Sequence, residues 1–348
     1  MNFYKMNDFQ NINIKPFAIA TLLCFISFGS AYATIIKPKD SISSQRFQYM
    51  SINTLEDDCD LCGCTTSGGS SAFGDLSMSN FVGVRYIYQN FESKDGIFSN
   101  SPISKEQFNT YQLWGRVPIN ESFFLSAIIP YQDLNRNFED REEHLSGLGD
   151  INVIGWYQFK FYKKEQKTDG TMDFVVERER SNHTLNVGLG VKLPTGEFEE
   201  QLTDKVNPGF QVGTGSLDAF TTAIYGYKKT NLGFATTLAY YFKTKNKNEY
   251  RFGNQFSYAT TVFYDIASEE SIIKPFIGFS GDVYNSIEQY DEKLPDTDGS
   301  IFNGSVGSEF VYGKFLLGAK YTLPISQNLF GGNVEAKNNL AVYFNYAL

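Results

Sequence analysis

Two histidines, two tryptophans, ten prolines and four cysteines are all that this chain of 348 residues holds of those types. The histidines, His144 and His183, leave little room for acid–base or nucleophilic catalysis. His183 is followed by Thr184 with no serine two places on, and no Gly-x-Ser-x-Gly elbow occurs, so the chain reads as no enzyme. Positive charge is also short: 30 Lys and Arg stand against 39 Asp and Glu, a net charge of −9 at pH 7. That balance argues against a nucleic-acid partner and against a polybasic membrane-surface anchor. Beyond residue 33 no apolar run approaches the roughly 20 residues that a membrane helix needs. A mean hydropathy of −0.29 would suit a soluble protein. Alternate residues carry a barrel's lipid face, however, so a running average hides it.

What the chain has in quantity is Phe (32), Gly (30) and Tyr (22), and from Asn80 onward these fall into stretches of period two. Val82, Val84, Tyr86 and Tyr88 share one face against Gly83, Arg85 and Gln89. Tyr111, Leu113, Gly115 and Val117 oppose Thr110, Gln112, Trp114 and Arg116. Ile151, Val153, Tyr157 and Phe159 oppose Asn152, Trp156, Gln158 and Lys160, and Leu189, Val191 and Leu193 oppose Gly190 and Lys192. Phe123 to Tyr131 is too apolar to assign by alternation. Further strands read around 216–227, 231–242, 252–266, 272–284, 301–311 and 314–324. The rows Leu232/Phe234/Thr236/Leu238/Tyr240 and Phe315/Leu317/Ala319/Tyr321/Leu323 carry no charge, while Asp218, Asp265, Asp282, Glu309 and Lys320 fall on the opposite face. A charge on a lipid face near the midplane costs about 2–4 kcal/mol and little in a wet lumen. This segregation therefore predicts an all-β antiparallel transmembrane barrel of about 12 strands over 80–348. A soluble sandwich also alternates, with its apolar row packed into a shared core.

The final strand weighs toward the barrel. Leu340, Val342, Phe344, Tyr346 and Leu348 form an unbroken apolar row against Ala341, Tyr343, Asn345 and Ala347. In water this would be a sticky half-paired edge, whereas in a closed barrel it pairs on both sides and faces lipid. Outer-membrane barrels commonly end in such a strand, which the assembly machinery recognises; here Leu348 stands where an aromatic is usual. Connections around 92–106, 132–148, 194–215, 243–251, 285–300 and 325–337 read as long, and those around 118–121, 228–230, 267–271 and 312–313 as short. That alternation fits external loops and periplasmic turns with both termini in the periplasm. The charged stretch 163–180 is long where a tight turn is expected.

Residues 1–33 read as a signal peptide, with Lys15 before an apolar run from Pro16 to Phe28 and small residues at Ala31 and Ala33. A retained helix is the alternative, disfavoured by the small-residue end at Ala31 and Ala33. Residues 34–79 form a separate extension of low periodicity, the natural candidate for a plug. It carries Cys59, Cys62 and Cys64. In an oxidising periplasm two of these thiols would pair, or the cluster would bind a soft ion such as Cu(I) or Zn(II); the alternative function is thus a metal-handling or redox-associated barrel.

The inward row names the expected pore lining. Arg85, Trp114, Arg116, Trp156, Lys160 and Lys192 come from the first half of the barrel, and Asp265, Asp282, Glu309 and Lys320 from the second. They either line a pore or fill a narrow barrel by mutual pairing. Gly149, Gly190 and Gly215 suit sharp turns or close backbone approach, and Asp150 and Asp218 suit hydrogen bonds to turn amides.

Ser146-Gly147-Leu148-Gly149-Asp150-Ile151, then Gly190-Val191-Lys192-Leu193-Pro194-Thr195-Gly196, then Gly213-Thr214-Gly215-Ser216-Leu217-Asp218 resemble, in order and spacing, the phenol-degradation meta-pathway outer-membrane family. The resemblance spans most of the barrel and is similar, more distantly, to the long-chain fatty-acid channel class. It implies a channel or transporter-like barrel in the outer membrane of a Gram-negative bacterium, with the lipid bilayer and assembly machinery as partners and small, hydrophobic compounds as cargo. The Cys59–Cys64 cluster followed by Asn80-Phe81-Val82-Gly83-Val84-Arg85-Tyr86 looks like a subgroup of transporter-family proteins, outside the stretch that resembles the phenol family.

Overall fold

The computed structural model describes residues 81–94, 103–159, 161, 182–202, 207–269 and 271–348. The signal segment 1–33, the extension 34–79 with its three cysteines, Lys160 and the stretch 163–180 lie outside the described residues.

The strands run β1 (Phe81–Lys94), β2 (Ile103–Pro118), β3 (Phe123–Asn137), β4 (Glu142–Leu148), β5 (Ile151–Phe159), β6 (His183–Leu193), β7 (Asp218–Lys229) and β8 (Leu232–Phe242). They continue with β9 (Tyr250–Arg251), β10 (Gln255–Tyr264), β11 (Ile266–Ala267), β12 (Ser271–Tyr284), β13 (Glu288–Gln289), β14 (Glu292–Lys293), β15 (Gly299–Tyr312), β16 (Phe315–Leu329) and β17 (Val334–Ala347). Each long strand pairs antiparallel with its sequence neighbour, β10 pairs with β12, and β1 pairs with β17 from Phe81↔Ala347 to Ser93↔Val334. The sheet therefore closes on itself. With β4 and β5 counted as one staggered strand, because both pair with β3, the ring has 12 strands.

Closure decides what the alternation means. Phe344 pairs with Val84 on one side and Leu317 on the other, and its ring stacks on Phe315 at 5.8 Å. The outward row is accessible throughout, with Leu189 70%, Ile277 57% and Val306 56% exposed. Inward residues of the same strands, such as Lys192, Phe276 and Glu309, are buried. Among the described residues the second sheet is only the small β9–β13–β14 one and the outward rows stay accessible, as rows that meet hydrocarbon rather than a shared core do. The turns at one end are tight. Gly313 at φ +55 takes the left-handed position before Phe315, and Thr230 takes φ 55 at the matching place between β7 and β8.

At the opposite end the strands outrun the sequence expectation. The stretch 132–148 is mostly a hairpin of β3 and β4, and 325–337 is largely the ends of β16 and β17 joined by a 3-10 turn at Phe330–Gly332. Polar outward residues such as Asp133, Asn135 and Asn328 give these extensions the composition of loops. Their inward residues Leu134, Leu145, Leu329 and Val334 are nonetheless buried. β3 resisted assignment because both its faces are apolar. Phe124 and Ile128 point inward and pack near Trp156 and Trp114 respectively, while Phe123, Leu125 and Tyr131 point outward.

Candidate functional site

The three motifs converge on one buried knot in the wall. Gly149 and Asp150 interrupt the strand between β4 and β5, and Thr195 bridges the break: its hydroxyl donates to the Gly149 carbonyl at 2.8 Å and accepts from the Ile151 amide at 3.0 Å. Asp150, wholly buried, accepts from the Gly196 amide (3.0 Å), the Thr214 amide (3.0 Å) and the Thr214 hydroxyl (2.6 Å). The ammonium of Lys192 lies 3.2 Å from Asp150 and 2.7 Å from Asp218, and also donates to Thr214. Asp218 in turn accepts the Thr244 amide at 2.8 Å and lies 3.9 Å from Lys243. Gly196 and Gly213 touch through their backbones, and a Cβ on Gly213 would sit 2.4 Å from the Gly196 carbonyl. A hydrogen-bonded carboxylate satisfies turn amides that water cannot reach, so this knot fixes the path of 194–218 against the wall.

Below the knot, the expected lining residues that are described occupy the inward row, and all but Lys320 are tied to neighbours. Arg85 donates to Gln112 at 2.8 Å and lies over the Trp114 ring at 4.5 Å. Arg116 donates to Asn186 at 3.3 Å and lies over Phe124 at 4.2 Å, with Trp156 5.9 Å away. Trp156 donates to Ser126 at 3.0 Å. Asp265 pairs with Lys228 at 2.5 Å, Asp282 accepts from Ser257 at 2.6 Å, and Glu309 accepts from Tyr343 at 2.7 Å with Lys274 3.5 Å away. Lys320 also faces inward but is only half-buried. In this conformation the lumen is a lattice of paired charges, amides and aromatic rings.

Toward the loop end the inward face turns apolar. Phe91, Phe108, Leu134, Leu145, Phe210, Val212, Tyr250, Phe252, Ile287 and Leu329 belong to one buried cluster drawn from strand ends and loops. Phe210 sits at its centre with no exposed surface, its ring 6.0 Å from Phe108 and 4.4 Å from the Arg136 guanidinium. Asn207 holds that position by accepting the Gly209 and Phe210 amides at 2.9 and 3.1 Å. Arg136 is held by Glu106 at 2.9 Å, and Glu106 accepts from Ser93 at 2.7 Å. A cleft of about 250 Å³ opens beside this cap, lined by Leu145, Leu148, Thr195, Glu197, Glu200 and Val212 among others.

Several residues of this arrangement escaped the sequence reading. Glu106 and Arg136 are directly opposite in the β2–β3 register. Extending the phase of Thr110 and Gln112 back by two-residue steps would have marked Glu106 as inward. Phe210 carries no such signal, because it lies outside any strand. Three ionisable loop groups, Glu199, Glu288 and Lys245, are partly exposed and paired. Hydrogen bonds from Lys247 and Asn248 hold Glu199 below the usual carboxylate range, Arg251 does the same for Glu288, and Asp291 and Glu249 raise Lys245.

Comparison with known proteins settles the family. Residues 107–334 match the family described as "Putative MetA-pathway of phenol degradation". The chain belongs to that family. The matched stretch contains the whole knot and Phe210, while Arg85 and the cysteine cluster precede it. Among solved structures, an outer membrane channel from Pseudomonas putida F1 aligns with a TM-score of 0.56 at 13% identity, over 79% of this chain and 97% of that one. The β domain of a Bordetella autotransporter (TM-score 0.43, 9% identity, 78% and 100% covered) and the translocator domain of a Neisseria meningitidis autotransporter (0.40, 9%, 83% and 95%) also align. No curated protein matches the chain. The fold of this family member is that of the outer-membrane β-barrels it aligns with.

Proposed function

We propose that this barrel is a passive channel for small compounds with apolar bodies, held shut in the present conformation by the Phe210 cap. The observation that carries the reading is the change of lining along one closed ring. A polar, charge-bearing lumen runs through the lipid-facing band and ends under an apolar cluster contributed by strand ends and loops. A wall that only had to anchor a protein would gain nothing from charges in its interior, where each must be paired. With the long loops on the outer face, as is usual for such barrels, the apolar cap and its adjoining cleft would be where a hydrophobic compound first finds matching surface. The histidines support a non-enzymatic role. His144 pairs with Asp133 at 3.3 Å and His183 with the Tyr225 hydroxyl at 2.7 Å, both on the outward side of the wall.

Planar-bilayer recordings and liposome uptake test this. Phe210→Ala removes the ring at the centre of the cap, a loss of about 3–5 kcal/mol of packing when such a side chain is truncated. The variant is expected to stay folded, because the ring closes through backbone ladders in which Phe210 takes no part, and to conduct about ten-fold more than the parent through weakened cap closure. Absence of both conductance and solute uptake from parent and variant alike would refute the channel reading.

A further inference from the structure

We propose that Lys320 makes the lumen anion-selective and receives the carboxylate of a small organic acid on its way through. The inference rests on the channel reading above.

Charged side chains facing inward along the band are held by protein partners: Lys192 by Asp150 and Asp218, Lys228 by Asp265, Lys274 by Glu309, Arg85 by Gln112 and Arg116 by Asn186. Lys320 differs. Among the described residues no carboxylate lies within ion-pair distance of its ammonium, and it keeps accessible surface although it stands on the inward row Leu316–Gly318–Lys320–Thr322. Because the ring is closed, that surface opens only to the lumen.

Its surroundings explain the space. The cross-strand neighbours are Gly307 on β15 and Ala341 on β17, so no large side chain stands directly beside it. One strand further along the same inward row are Phe276 and Ile87, both buried and apolar. The charges that act on Lys320 are those of Arg85 and Asp282. Asp282 already accepts from Ser257 at 2.6 Å and Gln255 at 3.1 Å. Arg85 adds a second positive charge on the same side of the lumen.

A lysine carried into the membrane interior at the cost of its hydration marks a water-lined path, and a narrow low-dielectric wall strengthens its pull on a passing anion. Cationic side chains lining a constriction select anions for this reason. The apolar row beside the ammonium suits a carboxylate with a small hydrophobic body. The lysine stem is flexible enough to follow the anion and release it.

The test is the reversal potential of the purified full chain in planar bilayers under gradients of potassium chloride and of potassium benzoate, for the parent and for Phe210→Ala. Correct folding is checked by heat-modifiable gel migration. The parent lumen is expected to favour both anions over potassium. Lys320→Gln should lower the anion-to-cation permeability ratio by about three-fold, Lys320→Glu should reverse the preference, and Lys320→Arg should keep it. A conducting Lys320→Gln or Lys320→Glu variant with the parent's reversal potential, or a cation-selective parent, overturns the inference while leaving the channel intact. A chain that conducts nothing in either background overturns the channel reading itself.

Discussion

The two ends of this barrel are built on opposite plans from one continuous set of strands. In the lipid band Val306, Ile277 and Leu189 point outward and are exposed, while Lys192, Glu309 and Arg116 point inward and are buried. Past the knot at Gly149–Asp150 the order reverses: Asp133 and Asn135 face outward on β3, and Leu134 and Leu145 are buried inward. Asn90 and Asn338 bond across the strand pair at 3.0 Å, a polar rung outside the band. On β2 and β3 the strand phase runs unbroken from one region to the other, while β16 and β17 shift register on the way, so on the unbroken strands the difference lies in the solvent each region was built for. Hydrocarbon demands an apolar exterior and leaves the polar groups to satisfy one another inside, whereas water permits an ordinary apolar core.

The knot where the two plans meet should be the most sensitive point. Asp150→Ala leaves two buried amides and half of the Lys192 ion pairing without their acceptor. Breaking a buried charged network from one side costs about 3–5 kcal/mol, and the unfolding midpoint of the barrel in urea should fall accordingly. Adding Lys192→Met to Asp150→Ala should recover part of that loss, since it removes the charge left short of a partner. If Asp150→Ala unfolds at the parental midpoint, the knot does not join the regions as described.

A single substitution made in each region sharpens the contrast. Val306→Arg puts a charge between Ile277 and Tyr321 in the middle of the outward row and should cost about 2–4 kcal/mol in lipid. Asn135→Arg, outward but beyond the band and opposite Gln107 and His144, should change stability by less than about 0.5 kcal/mol. Equal costs at the two sites would mean that the membrane boundary has been drawn in the wrong place.

The same contrast explains what could be read from the sequence. The band was legible because its outward rows are uncharged for five residues or more at period two, and because Leu340 to Tyr346 makes sense only when both edges are paired. The loop-end extensions were not, since a core of only one inward residue in two, flanked by Asn and Asp, has the composition of a loop. The motif glycines and Asp150 could be recognised as turn residues from their local chemistry. That Lys192 reaches Asp150 and Asp218 together depends on register between β5, β6 and β7, which no single stretch encodes. Phe210 follows Asn207-Pro208-Gly209, a turn sequence that says nothing about what its ring will enter.

The smallest effect belongs to the exposed pairs over the loop end, and its sign follows from the direction of each shift. Glu288, hydrogen-bonded by Arg251, and Glu199, hydrogen-bonded by Lys247 and Asn248, are both held below the ordinary carboxylate value. Their contribution is therefore present above about pH 4.3 and lost as the pH falls through the depressed folded values. Lys245, raised by Asp291 and Glu249, contributes fully below about pH 10.4, and that contribution fades as the pH climbs through its raised value. Amide exchange in 243–251 and 285–298 should then be flat across neutral pH once corrected for intrinsic rates, and should rise only toward strong acid or strong base. The β16–β17 amides inside the band should show neither rise, because lipid and closure hold them independently of these surface charges. Loosening of the small β9–β13–β14 sheet between pH 6 and 8 would show instead that a different group controls the loop end.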